Sequence, residues 1–237
     1  MLLSSLTIGY PRATVASGIN ATLTAGTLTV LLGRNGTGKS TLMRTMAGFL
    51  PPLSGTISIE GRNVTTMSPA DRSKAISIVL TEQLTADAQF SVHDLVALGR
   101  APYTGFFGRL SKYDEQIIMQ SLDSVGMTAF APRQASSLSD GERQKVMIAK
   151  ALAQQTPVIL LDEPTAFLDY PSKLDTLALI ARLCHDTGKA ALVSTHDLDV
   201  AMRLADELWI MDKKEEAQYL ASFHFADTSR VSWLVNS

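Results

Sequence analysis

The chain has 237 residues, 46% of them hydrophobic, enough to bury a substantial core in one large domain or in a domain with a subdomain. Its 21 basic and 23 acidic side chains leave a formal charge of −2, which excludes holding a nucleic-acid backbone by general basic excess, so any anion must be bound locally. The single cysteine, Cys184, excludes an internal disulfide; it lies in "LDTLALIARLCHD" with Leu174, Leu177, Ile180 and Leu183 at helical spacing and is expected in the core. No run approaches the ~18 apolar residues of a membrane span, and "MLLSSLTIGY" at the start lacks a basic leader. A cytoplasmic protein is expected, free to dock on a membrane partner.

Taken in chain order, "LTIGY" alternates like a half-buried strand, and "GTLTVLLG" is nearly continuous aliphatic, as in a strand buried on both faces. "SGTISIEGRNV" reads as antiparallel strands joined by a glycine turn, and "AISIVLTEQ" as a further strand. From about residue 91 to 153 the pattern is chiefly helical, broken by the aromatic and glycine-rich "GRAPYTGFFGRLS"; this predicts a helical subdomain inserted between sheet strands. "TPVILLDEP" and "KAALVSTHD" are again buried strands with polar ends. Such alternation predicts an α/β fold with a mostly parallel core sheet and an antiparallel β part. Ligands of parallel sheets gather at the carboxyl ends of the strands, so Gly33 onward, the Asp162-Glu163 pair and His196 are expected at one site.

Gly33, Arg34, Asn35, Gly36, Thr37, Gly38, Lys39 and Ser40 fit the P-loop spacing between a strand and a helix, with Thr41 next in line. Glycines allow successive backbone N–H groups to point at phosphate oxygens, and the helix start adds its positive dipole end. Lys39 is then placed to bridge the β- and γ-phosphates of a nucleoside triphosphate, and the Ser40 hydroxyl to ligate Mg²⁺. Asp162 at a strand end suits Mg²⁺, directly or through water, and Glu163 suits orienting the attacking water. His196, at the end of another apolar strand, is a candidate γ-phosphate contact. Ser139 and Glu142 in "SSLSDGERQKVMIAKALAQ" have capping-box spacing, predicting a helix whose N-terminal amides can meet an anion.

Together these segments resemble the ATP-binding cassette (ABC) ATPases from Leu6 to about Asp212. "GRNGTGKST" is similar to Walker A, "LSDGE" to the family signature, "VILLDE" to Walker B, "FLD" around Asp169 to the D-loop and "STHD" to the switch-histidine segment. Tyr10 stands where the family stacks an aromatic on adenine. The resemblance implies an ABC ATPase domain over residues 1–212, followed by an atypical tail at 213–237. It implies a head-to-tail homodimer with Mg²⁺ and ATP between the P-loop of one subunit and Ser139, Gly141 and Glu142 of the other. Glu163, His196 and Lys39 would serve catalysis. "SVHDLVALGRAPYTGFFGRLS" is similar to the helical subdomain of importer subunits for iron chelates, haem and cobalamin. That implies a peripheral protein at the cytoplasmic face of the membrane, bound to permease subunits and, through them, to a solute-binding protein. No nucleic-acid partner is expected; a soluble ABC ATPase acting on nucleic acid or the ribosome, and an ABC exporter subunit, are the alternatives.

Three departures from the family pattern stand out. The Mg²⁺-ligating glutamine that ends a strand is offered here as either Glu82 or Gln83, with strand position favouring the first and residue type the second. Asp140 stands where glycine is common and Glu142 where glutamine is common; a carboxylate facing the γ-phosphate would be repulsive, so Asp140 is expected to point away. After "ELWIMDK" the tail contains no glycine for the turn the family places there.

Overall fold

The computed structural model describes residues 1–80, 90–105, 107–214 and 217–224. In chain order it forms β1 (Leu2–Tyr10), β2 (Ala13–Thr22), β3 (Leu28–Leu32), α1 (Lys39–Met46), β4 (Ser54–Ile59), β5 (Arg62–Asn63), α2 (Pro69–Ala75) and β6 (Ile76–Val79). The helical stretch follows as α3 (Val92–Ala97), α4 (Lys112–Ser124) and α5 (Asp140–Ala153). The chain then makes β7 (Val158–Leu161), α6 (Tyr170–Thr187), β8 (Ala190–Thr195), α7 (Leu198–Leu204), β9 (Glu207–Lys214) and β10 (Ala217–His224).

Strands β1, β2, β4 and β5 make an antiparallel sheet in the order β2-β1-β4-β5, and the other six run β10-β9-β3-β8-β7-β6. In the larger sheet every pair is parallel except β10 with β9. All residues of β3, β7 and β8 are buried, which explains their continuous aliphatic runs: alternate side chains enter cores on opposite faces. Leu28, Val30, Leu32, Ile159, Leu161, Ala191 and Val193 pack with the helical stretch and α6. Leu31, Val158, Leu160, Ala190 and Leu192 pack on the other side with Leu42, Met43 and Met46 of α1 and with the antiparallel sheet. Cys184 is buried in the first of these cores, and burial pushes its thiol pKa up to about 12, as befits an inert core residue. The predicted glycine turn joins β4 to β5 through Glu60 and Gly61, whose φ values of 50° and 76° suit a two-residue hairpin.

In the glycine-free tail, β9 runs to Lys214 and β10 pairs antiparallel with it from Ala217 to His224. Residues 225–237 lie outside the described residues.

Within the helical stretch the "LGRAPY" segment turns inward. A Cβ on Gly99 would meet the Lys150 carbonyl oxygen at 2.3 Å, so glycine permits the close approach of this segment to the end of α5. Arg100, only 1% exposed, donates from Nε to Asp114 Oδ1 at 2.9 Å. Its Nη1 donates to the Ala153 carbonyl at 2.7 Å and to Gln155 Oε1 at 2.8 Å. The Tyr103 ring lies 4.0 Å from the guanidinium carbon. Asp114 also accepts from the Ser111 amide and hydroxyl, closing the capping box of α4. These Ser111 bonds, and then Arg100, hold the Asp114 carboxyl at about 2, below its ordinary 3.8. Phe107, further along the same loop, is 82% exposed.

A carboxylate with a depressed folded-state pKa contributes stability that is complete above its unfolded value and is lost as pH falls through the folded one. Asp114→Asn is therefore expected to destabilise the protein at neutral pH. The gap to wild type should close as pH falls from the ordinary 3.8 toward about 2. Urea unfolding of both proteins across this range checks it, and a gap that stays constant rules the linkage out.

Candidate active site

The P-loop leaves the end of β3 and opens α1. Gly36 and Gly38 have φ of 80° and 107°, conformations that favour glycine. A Cβ on Gly33 would meet the Met211 carbonyl oxygen at 2.5 Å, so this glycine lets the loop lie against β9. Gly38 is the N-cap of α1; it supplies no side-chain cap, and no acid occupies the first turn. A helix start so arranged leaves its first amides and its positive dipole end to an external anion, which fits phosphate. Thr37 turns its hydroxyl back to the Arg34 carbonyl at 2.9 Å, tightening the loop. The Ser40 side chain is exposed.

Lys39 is buried, and its ammonium group lies over the loop, donating to the Gly33 carbonyl at 2.7 Å and the Arg34 carbonyl at 3.3 Å. It also pairs with Glu163 Oε1 at 3.2 Å. The other Glu163 oxygen, Oε2, is 3.2 Å from His196 Nδ1. Three residues proposed from separate segments thus form one line across the carboxyl edge of the sheet. Asp162, buried, follows β7, and its amide donates to the Val79 carbonyl at 2.8 Å. Glu163 has a φ of 46°, a left-handed conformation that costs a non-glycine residue roughly 1–3 kcal/mol.

One residue that holds this geometry escaped the sequence reading. The Ser194 hydroxyl donates to Asp162 Oδ1 at 2.6 Å and accepts from the Glu163 amide at 2.8 Å. The available signal was a hydroxyl residue within the aliphatic run of "AALVSTHD". The D-loop side is tied in as well, because Lys173 pairs with Asp197 at 3.1 Å and Tyr170 donates to Asp199.

The signature residues form a separate cluster. Ser139 caps α5, and the predicted box is complete: the Ser139 amide and hydroxyl each donate to Glu142 Oε2 at 2.8 Å. Those bonds hold the Glu142 carboxyl below the usual carboxylate range. Asp140 turns along its own helix to Arg143, 3.2 Å away. Among the described residues, no hydrogen bond or ion pair joins Ser139, Gly141 or Glu142 to residues 33–41 of the same chain. Tyr10 stands half-exposed at the end of β1. Glu82 and Gln83 lie outside the described residues.

A P-loop at the end of a parallel strand, with a histidine at the end of the neighbouring strand β8 and an acidic pair at the end of β7 next to that, defines a P-loop nucleoside triphosphatase. The chain belongs to the ABC transporter family, whose domain model matches residues 16–166, and is an ATP-binding, ATP-hydrolysing subunit of that family. It is 38% identical over 215 residues to an uncharacterised ABC transporter ATP-binding protein of Methanocaldococcus jannaschii, covering 91% of this chain and 74% of that protein. It is 38% identical over 208 residues to the iron(3+)-hydroxamate import ATP-binding protein FhuC of Bacillus subtilis, covering 88% of this chain and 77% of the relative. A solved structure described as an inward-facing conformation of a putative metal-chelate type ABC transporter superposes with a TM-score of 0.84 at 27% identity, over 99% of this chain and 86% of the other. The ABC fold expected from the sequence is the one observed.

Because Asp140 is engaged with Arg143, Asp140→Gly is expected to keep ATP turnover at the wild-type level or to raise it. Phosphate release measures this; a rate below about a tenth of wild type, ~1.4 kcal/mol of added barrier, would give Asp140 a part in the reaction.

Proposed function

We propose that the protein is the ATPase subunit of a membrane importer for a metal chelate of the iron-siderophore, haem or cobalamin kind. The observation that carries the chemistry is the line Lys39–Glu163–His196 at the mouth of an uncapped helix start. Similarity to an iron-hydroxamate import subunit and to a metal-chelate type transporter supports the solute class.

In this reading residues 33–41 bind the triphosphate through backbone amides, with Lys39 on the β- and γ-phosphates, and Tyr10 stacks on adenine. Ser40 and Asp162 hold Mg²⁺, with Glu82 or Gln83 completing the set. One or two protein oxygens plus substrate phosphates are the usual donor set for this ion, and a buried carboxylate with an exposed hydroxyl suits it. When bound, Mg²⁺ supplies neutralisation of charge developing on the phosphates. Glu163 takes the proton of the attacking water, and His196 keeps that carboxylate in place while contacting the γ-phosphate.

The separation of Ser139, Gly141 and Glu142 from the P-loop within one chain supports a head-to-tail homodimer, each signature helix capping the partner's nucleotide. Closure on two ATPs and reopening after hydrolysis form a ligand-driven population shift. The helical subdomain at 91–153, with Phe107 exposed, receives the permease, and the permease engages a solute-binding protein. Among the described residues no helix is long and apolar enough to cross a membrane. In this reading the permease holds the protein at the cytoplasmic face.

Two experiments test this. Glu163→Gln is expected to bind ATP and dimerise while turnover falls at least about a hundredfold, the lower end of a general-base contribution; turnover near wild type would remove Glu163 from that role. Affinity capture from detergent-solubilised native membranes, using tagged Glu163→Gln with ATP, is expected to recover a polytopic permease. Recovery of only ribosomal or other soluble chains would overturn the importer assignment.

A further inference from the structure

The Ser194 side chain is the point where the two acidic roles meet. The last β7–β8 pair is Leu161 with Val193, so one step further along both strands sets Asp162 opposite Ser194. Alternation sends both side chains to the face of the sheet that carries α1, the side shared by Leu160 and Leu192. Ser194 is fully buried there. A hydroxyl has one proton to donate and lone pairs to accept with. Here the proton goes to Asp162 Oδ1 at 2.6 Å, and a lone pair receives the Glu163 amide at 2.8 Å. A single oxygen therefore fixes both the carboxylate of one acid and the main chain of the next, a residue held in a left-handed conformation at a φ of 46°.

We infer that Ser194 is a positioning residue for ATP hydrolysis, setting the Asp162 carboxylate and the Glu163 backbone relative to each other through its hydroxyl. This rests on the roles assigned above to Asp162 and Glu163. Ser194 makes no contact with the P-loop donors among its described hydrogen bonds, so its removal should spare nucleotide binding and act on turnover and on the metal. Hydrogen-bond partners of a metal ligand typically change affinity or activity by about 10–100-fold when lost.

The test compares wild type, Ser194→Ala, Ser194→Thr and Glu163→Gln as full-length protein. Steady-state turnover is read with Mn²⁺ affinity in the presence of ADP, by electron paramagnetic resonance, and with thermal melting. Ser194→Ala is expected to lose about 10–100-fold in kcat with KM for ATP little changed, and to bind Mn²⁺ more weakly. Ser194→Thr, which keeps a hydroxyl, should recover most of both. Unchanged kcat in the alanine variant, equal loss in kcat and ATP affinity, or a threonine variant as slow as alanine would each overturn the inference. Should Ser194→Ala not fold, Ser194→Cys takes its place under the same criteria. If Glu163→Gln turns over normally, the assignment of Glu163 fails; if only Ser194→Ala does, the fault lies in this inference alone.

Discussion

Parallel pairing of β3 with β8 and of β8 with β7 is the constraint on which the chemistry depends. It brings the three strand ends that carry the P-loop, His196 and the acidic pair to one edge of one sheet. Helices cover one face and the antiparallel sheet with α1 covers the other, so the edge is where these polar groups can gather. Register matters as much as direction. A one-residue slip between β7 and β8 would turn Asp162 and Ser194 to opposite faces and dissolve the contact between them. The same slip would drive a row of leucines and valines out of their core, so the hydrophobic cost of misregister guards the geometry of this edge.

The helical stretch solves a different mechanical problem. Helix α5 has 14 residues and is therefore about 21 Å long. Its N-terminus presents the signature residues, and its C-terminus is fastened by Arg100, which reaches the Ala153 carbonyl, Gln155 and Asp114 together. A buried guanidinium with several acceptors is tolerated because its hydrogen bonds offset the loss of water. Since Asp114 also caps α4, the fastening joins two helices and the inward-turned "LGRAPY" segment into one body. The same fastening holds the C-terminal end of the helix whose first residues are Asp140, Gly141 and Glu142.

Local features of the site were legible in the sequence because their physics is local. The P-loop needs its glycines at fixed offsets, and the Ser139–Glu142 box needs only residues three apart. Asp140 lies along its own helix against Arg143, a partner the sequence reading did not foresee. Arg100 was different: its acceptors stand 14, 53 and 55 positions away, and nothing in a linear pattern distinguishes a buried arginine from a surface one. Ser194 was hidden for a related reason, since a hydroxyl near a strand end is common and its importance arises only from the β7–β8 register. The edge strand β10 forms although the tail has no glycine, because pairing with β9 supplies hydrogen bonds along its whole length.

Helices α1 and α5 show two opposite answers to the same electrostatic problem. Each ends in unsatisfied amides and a partial positive charge. Helix α1 has neither a side-chain cap nor an acid in its first turn, so its demand for negative charge is left to a ligand. Helix α5 has Ser139, Asp140 and Glu142 at its start, and its demand is met within the helix. An anion approaching α1 gains the full interaction, whereas one approaching α5 gains only the difference between itself and the carboxylate it competes with. A chain with a formal charge of −2 can therefore bind a polyanion tightly at one place and hold it weakly at another.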